Sequence, residues 1–223
     1  MSHLARCALA EFIGTAMLLA AVVGSGIMGA KLSAGNDAIA LLANAIATGG
    51  ALIALIAALG PISGAHFNPA VTVFECVGGR TPWRAAPFYI AAQVAGAIAG
   101  VVLAHAMFGL ALLQESAHDR STLGEQIGEV VATFGLALTI WGVARSNAER
   151  MPYAVAAYIV GAYWFTSSTS FANPAVTLAR ALTDTFAGIA PASIIGFLLA
   201  QALGLCLAIV VARALTTGNG GRS

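Results

Sequence analysis

The sequence predicts an all-α membrane protein with six transmembrane helices and two re-entrant half-helices, arranged as an inverted repeat. Three observations lead to this fold class: a scarcity of charge, six long apolar segments, and a motif that occurs twice. Only 9% of the 223 residues are charged and 59% are hydrophobic, whereas soluble domains carry roughly 25% charged residues. So few charges cannot cover a water-exposed surface, so most of the exterior should face lipid.

The apolar segments are long enough to cross a bilayer, which takes about 20 residues of helix. The first begins at Cys7 and ends near Ala30. It is longer than the core of a signal peptide and contains Glu11, so it is predicted to be a retained first span. Five further segments follow: Ala38–Leu59, Ala85–Phe108, Gly124–Ala144, Tyr153–Trp164 with extensions at both ends, and Ala190–Ala212.

Loop charges predict that both termini are cytoplasmic. Cytoplasmic segments of membrane proteins carry an excess of lysine and arginine. With both termini inside, the inner segments hold seven basic residues and the outer segments hold three. The inner ones are Arg6, Arg80, Arg84, Arg145, Arg150, Arg213 and Arg222; the outer ones are Lys31, Arg120 and Arg180.

The two halves of the chain share three landmarks in the same order. The first landmark, Glu-x-x-x-Thr, begins at Glu11 and again at Glu129. The second, Asn-Pro-Ala-Val-Thr, occupies residues 68–72 and 173–177. The third, Ala-Gln, ends at Gln93 and again at Gln201. We therefore predict a single domain over 1–223 with repeats at about 5–108 and 124–213. Each repeat holds three spans, an odd number, so the two copies should have opposite orientations, with a site near the bilayer midplane.

Each Asn-Pro-Ala motif is predicted to begin a half-helix. Asparagine before proline is typical of an N-cap with proline at the first helical position, and the stretches 69–76 and 174–181 are too short to span. Two N-termini that meet at the midplane create a positive potential that opposes cations, and the asparagine amides can donate hydrogen bonds there. The predicted centre consists of Asn68, Pro69, Ala70, Asn173, Pro174 and Ala175.

Several polar side chains lie within or between the apolar segments. The carboxylates of Glu11 and Glu129 are costly to place in lipid, so both should face the interior of the bundle. They could serve there as proton-relay groups or as acceptors for backbone N–H groups of the loops. Their symmetric placement favours the acceptor role, and Gln93 and Gln201 fit as interhelical hydrogen-bonding partners. His66 fits either a protonation gate or, preferably, a loop histidine with satisfied hydrogen bonds.

Other function classes find no support in the sequence. The net charge is +1 and there is no basic stripe, which argues against nucleic acid as a partner. The three cysteines are far apart and have neither metal-site nor disulfide spacing. No nucleophile–base pair or metal-ligand cluster is evident, so we expect no enzymatic activity, metal or cofactor.

The segment Ser-Gly-Ala-His-Phe-Asn-Pro-Ala-Val-Thr (63–72) resembles the first signature of the aquaporin and aquaglyceroporin (major intrinsic protein) superfamily. The paired Glu-x-x-x-Thr, the glutamine of the third span and the second Asn-Pro-Ala agree with this resemblance. It implies an aquaporin-like right-handed six-helix bundle in the lipid bilayer. It also implies a homotetramer with one pore per protomer and passive conduction of small neutral solutes.

The sequence departs from the family pattern after its second motif. The family usually has arginine there, and this chain has Val176, with Arg180 four residues later on the same helix face. The resemblance places the other selectivity-filter positions at Thr48, Gly161 and Ser170. Because Thr48 and Gly161 are small, we expect a wider and less polar constriction, and we hypothesise that Arg180 partly replaces the missing cation at the pore mouth.

Val176 and the segment Thr177–Gly188 resemble bacterial aquaporin-like channels linked to arsenic resistance. This narrower resemblance implies a bacterial-type inner membrane and, as solutes, trivalent metalloid hydroxides such as arsenous acid and related arsenicals, or glycerol. A water-selective channel and a proton-coupled inverted-repeat transporter are the alternatives.

Overall fold

The computed structural model describes residues 1–217 and consists of helices joined by short connections. Short 3-10 turns at Trp83–Ala85, Ala148–Arg150 and Pro191–Ser193 precede three of the helices. The helices of the described part are α1 (His3–Leu32), α2 (Asp37–Ser63), α3 (Pro69–Val77), α4 (Ala86–Phe108), α5 (Leu123–Ser146), α6 (Met151–Phe165), α7 (Pro174–Arg180) and α8 (Ile194–Thr217).

Six of these helices form the membrane bundle. Five, namely α1, α2, α4, α5 and α8, are long and apolar enough to cross a bilayer by length and composition. The sixth, α6, has 15 residues and is lengthened at its start by the adjoining 3-10 turn. The predicted fold class is confirmed: α3 and α7, with 9 and 7 residues, are the two half-helices.

The two halves of the bundle use the same helix order and the same packing partners. In the first half α1 packs on α2 and α4, and in the second half α5 packs on α6 and α8. Contacts between α2 and α6 join the halves, and α3 contacts α7 inside the bundle. The half-helices are therefore enclosed by the long helices.

Glycines allow the closest helix pairs to form. A Cβ atom at Gly96 would clash with the carbonyl oxygen of Phe12, and a Cβ atom at Gly100 would clash with the carbonyl oxygen of Ala16. Neither position therefore has room for a side chain. Gly204 of α8 faces α5 in the same way. Small residues let helix backbones approach in lipid, where packing rather than hydrophobicity drives association.

We expect Gly100→Ala to lower the free energy of unfolding by about 1–3 kcal/mol, because the added methyl group overpacks the α1–α4 contact. Gly142→Ala in α5 is the matched control, since its Cβ would meet nothing within 4 Å. Thermal unfolding of the detergent-solubilised protein measures both. Equal unfolding temperatures for the two variants would show that the α1–α4 contact is not tight.

Candidate functional site: a pore centred on two half-helices

Both asparagines of the repeated motif cap their own half-helix. The Asn68 Oδ1 accepts a hydrogen bond from the Ala70 N–H at 2.9 Å. The Asn173 Oδ1 accepts from the N–H groups of Ala175 and Val176 at 3.0 and 3.3 Å. Proline occupies the first turn of each half-helix, where its missing N–H costs nothing.

The same asparagines also tie the two halves of the chain together. The Asn68 Nδ2 donates to the Ala172 carbonyl at 2.7 Å, and the Asn173 Nδ2 donates to the Phe67 carbonyl at 2.8 Å. A side-chain amide carries two N–H donors. Since both asparagines line the central cavity, each has a second donor for a solute oxygen.

The loops before the half-helices have a strained backbone. Ala65 and Phe67 have φ of 50° and 50°, and their counterparts Ser170 and Ala172 have φ of 52° and 46°. The left-handed region is unfavourable for residues with a Cβ atom, at a cost of order 1–3 kcal/mol each. Such a conformation persists only where the surrounding structure holds it, so the partners of these loops matter.

Glu11 holds the first loop. Its carboxylate accepts four hydrogen bonds: from the Ser63 hydroxyl at 2.7 Å, the His66 N–H at 2.9 Å, the Phe67 N–H at 2.7 Å and the Gln93 amide at 2.8 Å. The side chain is fully buried. All four contacts use it as an acceptor, which supports the structural interpretation of this glutamate.

Glu129 holds the second loop in the same way. It accepts from the N–H groups of Phe171 and Ala172, each at 2.8 Å, and from the Gln201 amide at 2.6 Å. Glu129 is fully buried as well. Neither Glu11 nor Glu129 is among the described residues that line the central cavity.

The two glutamines connect each glutamate to its half-helix. Gln93 donates to the Thr72 hydroxyl at 2.9 Å and Gln201 to the Thr177 hydroxyl at 2.8 Å. Each threonine hydroxyl donates to the carbonyl of its motif asparagine, at 3.1 and 2.9 Å. The identical Asn-Pro-Ala-Val-Thr letters therefore reflect identical hydrogen-bond chains in the two halves.

A cavity of about 470 Å³ passes the two asparagines. On one side of Asn68 it is lined by His66, Arg80 and Thr81, and beyond Asn173 it extends to Arg180. His66 is held there by a contact of 3.1 Å between its Nδ1 and the Thr72 hydroxyl. The side chains that line the cavity beyond Asn173 are those of Thr48, Tyr163, Ser170, Phe171, Val176 and Arg180.

The structure places three of the four predicted filter residues, Thr48, Ser170 and Val176, on the cavity wall. Gly161 is not among the described lining residues, and a Cβ there would face the Phe165 ring at 3.7 Å. From the same helix Tyr163 lines the cavity, since two residues along a helix turn the side chain by about 200°. Its hydroxyl is 3.3 Å from that of Thr48, so an aromatic side chain lies next to a predicted filter residue.

Arg180 lines the central cavity. It is 3% exposed, its Nε donates to the Ala187 carbonyl, and its guanidinium carbon lies 3.4 Å from the centre of the Phe171 ring. Spacing on the half-helix indicated this position. No sequence signal singled out Phe171 or Tyr163, which the folded loops bring to the same place.

Comparisons with known proteins agree with this geometry. The family model for the major intrinsic protein family matches residues 1–170. Aquaglyceroporin AqpS of Rhizobium meliloti (strain 1021) is 51% identical over 94% of this chain and 90% of its own length. Aquaporin NIP1-4 of Oryza sativa subsp. japonica is 39% identical over 62% of this chain and 50% of its own.

Among solved structures, the aquaglyceroporin of Plasmodium falciparum superposes with a TM-score of 0.73 at 20% identity, over 95% of this chain and 94% of that one. At this identity the likeness concerns the fold. From the family match and the sequence relatives, the chain is a multi-pass membrane protein of the major intrinsic protein family, a passive channel for small neutral solutes and not an enzyme.

Proposed function

We propose that this channel conducts trivalent metalloid hydroxides, above all arsenous acid and related arsenicals, together with glycerol. We further propose that it lies in a bacterial-type inner membrane as a homotetramer, with both termini cytoplasmic. Residues 1–223 are proposed to form a single domain, divided into inverted repeats at about 5–108 and 124–213. The relative that is 51% identical to this chain is an aquaglyceroporin by name, which supports glycerol as a solute.

The observation that carries the proposal is the lining of the outer constriction. Thr48, Tyr163 and Ser170 line the cavity, together with the apolar Val176 and Phe171. The hydroxyls of Thr48 and Tyr163 lie 3.3 Å apart, and the Ser170 hydroxyl is buried without a protein partner. A wall with hydroxyl groups and apolar surface suits a neutral solute that carries several hydroxyls.

The centre of the pore supports neutrality of the solute. The N-termini of α3 and α7 meet at the asparagines, and each helix N-terminus carries roughly half a positive charge. A cation would be repelled, while a hydroxyl oxygen can accept the free amide hydrogen of Asn68 or Asn173. Arsenous acid and glycerol both have such oxygens and are uncharged at neutral pH.

The two alternatives explain the geometry less well. A water-selective channel is expected to have a narrow polar filter, and the apolar Val176 occupies the position of its arginine. A proton-coupled transporter needs a titratable group that the substrate pathway reaches, whereas Glu11 and Glu129 are buried away from the cavity and bind loop N–H groups.

Uptake of arsenous acid into vesicles that contain the purified chain tests the proposal. We expect a faster uptake than in protein-free vesicles, linear in the concentration gradient and unchanged by an imposed pH difference of about two units. No acceleration would refute conduction of arsenous acid. Accumulation driven by the pH difference would favour the transporter.

A further inference from the structure

Two arginines meet at the outer mouth of the pore. Arg120 comes from the connection between α4 and α5, and Arg180 ends α7. Both guanidinium carbons lie over the ring of Phe171, at 5.2 and 3.4 Å from its centre. Arg120 is 8% exposed and Arg180 is 3% exposed, so both cations are largely removed from bulk water.

Neither guanidinium group has all its donors satisfied by the protein. The Arg120 Nε donates to the Gly188 carbonyl at 2.9 Å, and its Nη1 is a long 3.4 Å from the Ser168 carbonyl. Arg180 uses its Nε for the Ala187 carbonyl. A guanidinium group has five N–H donors. Within residues 1–217, the hydrogen bond through Nε is the one that the Arg180 guanidinium group makes to the protein.

Four carboxylates near these arginines have hydrogen-bond partners of their own. Asp119 accepts from Ser121 and Ser193, and Asp184 from the Ala117 N–H. Glu125 completes the capping box of α5, and Glu129 binds the second loop. Over the described chain, no carboxylate comes within ion-pair distance of either guanidinium group, so their charge is not neutralised by direct pairing.

Both arginines line a second cavity of about 430 Å³, and Arg180 also lines the central cavity. His118 and Thr169 also line it, and Asp37, at the exposed start of α2, lines its rim. Burial lowers the pKa of His118, and the charges of Arg120 and Arg180 lower it further. The field of the two guanidinium groups therefore extends to this cavity.

We propose that Arg120 and Arg180 together bind a small tetrahedral oxyanion, such as sulfate or phosphate, at the outer mouth. Guanidinium groups recognise such anions through paired N–H donors, and these two are already desolvated, so little water has to be displaced. Arg180 lines both cavities, so an anion bound to it would lie next to the central cavity and should slow the passage of solute. This effect on flux rests on the proposed function; the binding itself does not.

Calorimetric titration of the detergent-purified full chain with sulfate, at constant ionic strength in chloride, measures the site directly. We expect saturable binding that Arg120→Gln and Arg180→Gln each weaken at least about tenfold, which corresponds to 1.4 kcal/mol. Lys31→Gln, an exposed cation at the end of α1, is the matched control and should bind as the original chain does. Arg120→Lys keeps the positive charge but lacks the planar guanidinium group, so its affinity for sulfate should be intermediate.

Absence of saturable binding to the original chain, or equal binding by Arg120→Gln, overturns the inference. In vesicles, external sulfate should slow glycerol flux through the original chain but not through Arg120→Gln. If sulfate binds and the original chain conducts no glycerol or arsenous acid, the proposed function fails and the anion site remains. If solute flux occurs without sulfate binding, the site alone is refuted.

Discussion

Val176→Arg is expected to reduce the flux of glycerol and of arsenous acid at least about tenfold, a barrier increase of 1.36 kcal/mol or more. Val176 lines the constriction together with Thr48, Tyr163 and Ser170. An arginine there adds a long charged side chain to a passage that already contains a tyrosine ring. Water is smaller, so its permeability should fall much less.

The control is Val176→Leu, which adds one carbon without a charge and should change solute flux only modestly. Stopped-flow light scattering on vesicles measures water and glycerol permeability in the same preparation, and retained water permeability shows that the pore is folded. If Val176→Arg leaves glycerol and arsenous acid flux unchanged, then Val176 does not belong to the selectivity filter.

Glu129→Ala is expected to destabilise the protein by several kcal/mol and to sharply reduce the yield of folded channel. The substitution leaves the N–H groups of Phe171 and Ala172 and the amide of Gln201 without their acceptor. A buried unsatisfied donor costs about 1–3 kcal/mol. The substitution also removes the carboxylate that binds the Ala172 N–H and so holds the left-handed backbone at Ala172. The effect is measured as unfolding temperature in detergent.

Glu149→Ala is the matched control, since Glu149 is exposed in the 3-10 turn before α6 and should change the unfolding temperature little. Glu129→Gln keeps the shape and one acceptor oxygen, and should be intermediate while conducting solute. An unaltered unfolding temperature in Glu129→Ala would contradict the acceptor role. If the original chain accumulates solute under a pH difference and a well-folded Glu129→Gln does not, a transporter is favoured.

The sequence was sufficient for the fold and for the centre of the site. Charge scarcity and six apolar segments predicted the bundle, and the repeated Asn-Pro-Ala predicted the half-helices. The symmetric placement of Glu11 and Glu129 in the two repeats favoured their interpretation as loop acceptors over proton-relay groups. These inferences rest on local chemistry, which composition and spacing reveal.

The cavity wall near Arg180 could not be predicted as well, because it is formed by segments distant in sequence. The resemblance pointed to Gly161, but the direction of a helical side chain changes by about 100° per residue, and nothing in the sequence indicated that Tyr163 also lines the cavity. The approach of Arg120 to Phe171 depends on the path of the connection 109–122. The left-handed backbone at Phe67 also has no sequence signal, since residues with bulky side chains rarely adopt it.

The central claim is that the pore passes neutral solutes larger than water, and one stopped-flow trace tests it. Vesicles that contain the chain are mixed with hyperosmotic glycerol; they shrink as water leaves and swell again as glycerol enters. We predict that the swelling phase is accelerated over protein-free vesicles in proportion to the amount of protein. Acceleration of the shrinking phase alone would identify a water-selective channel and contradict the account.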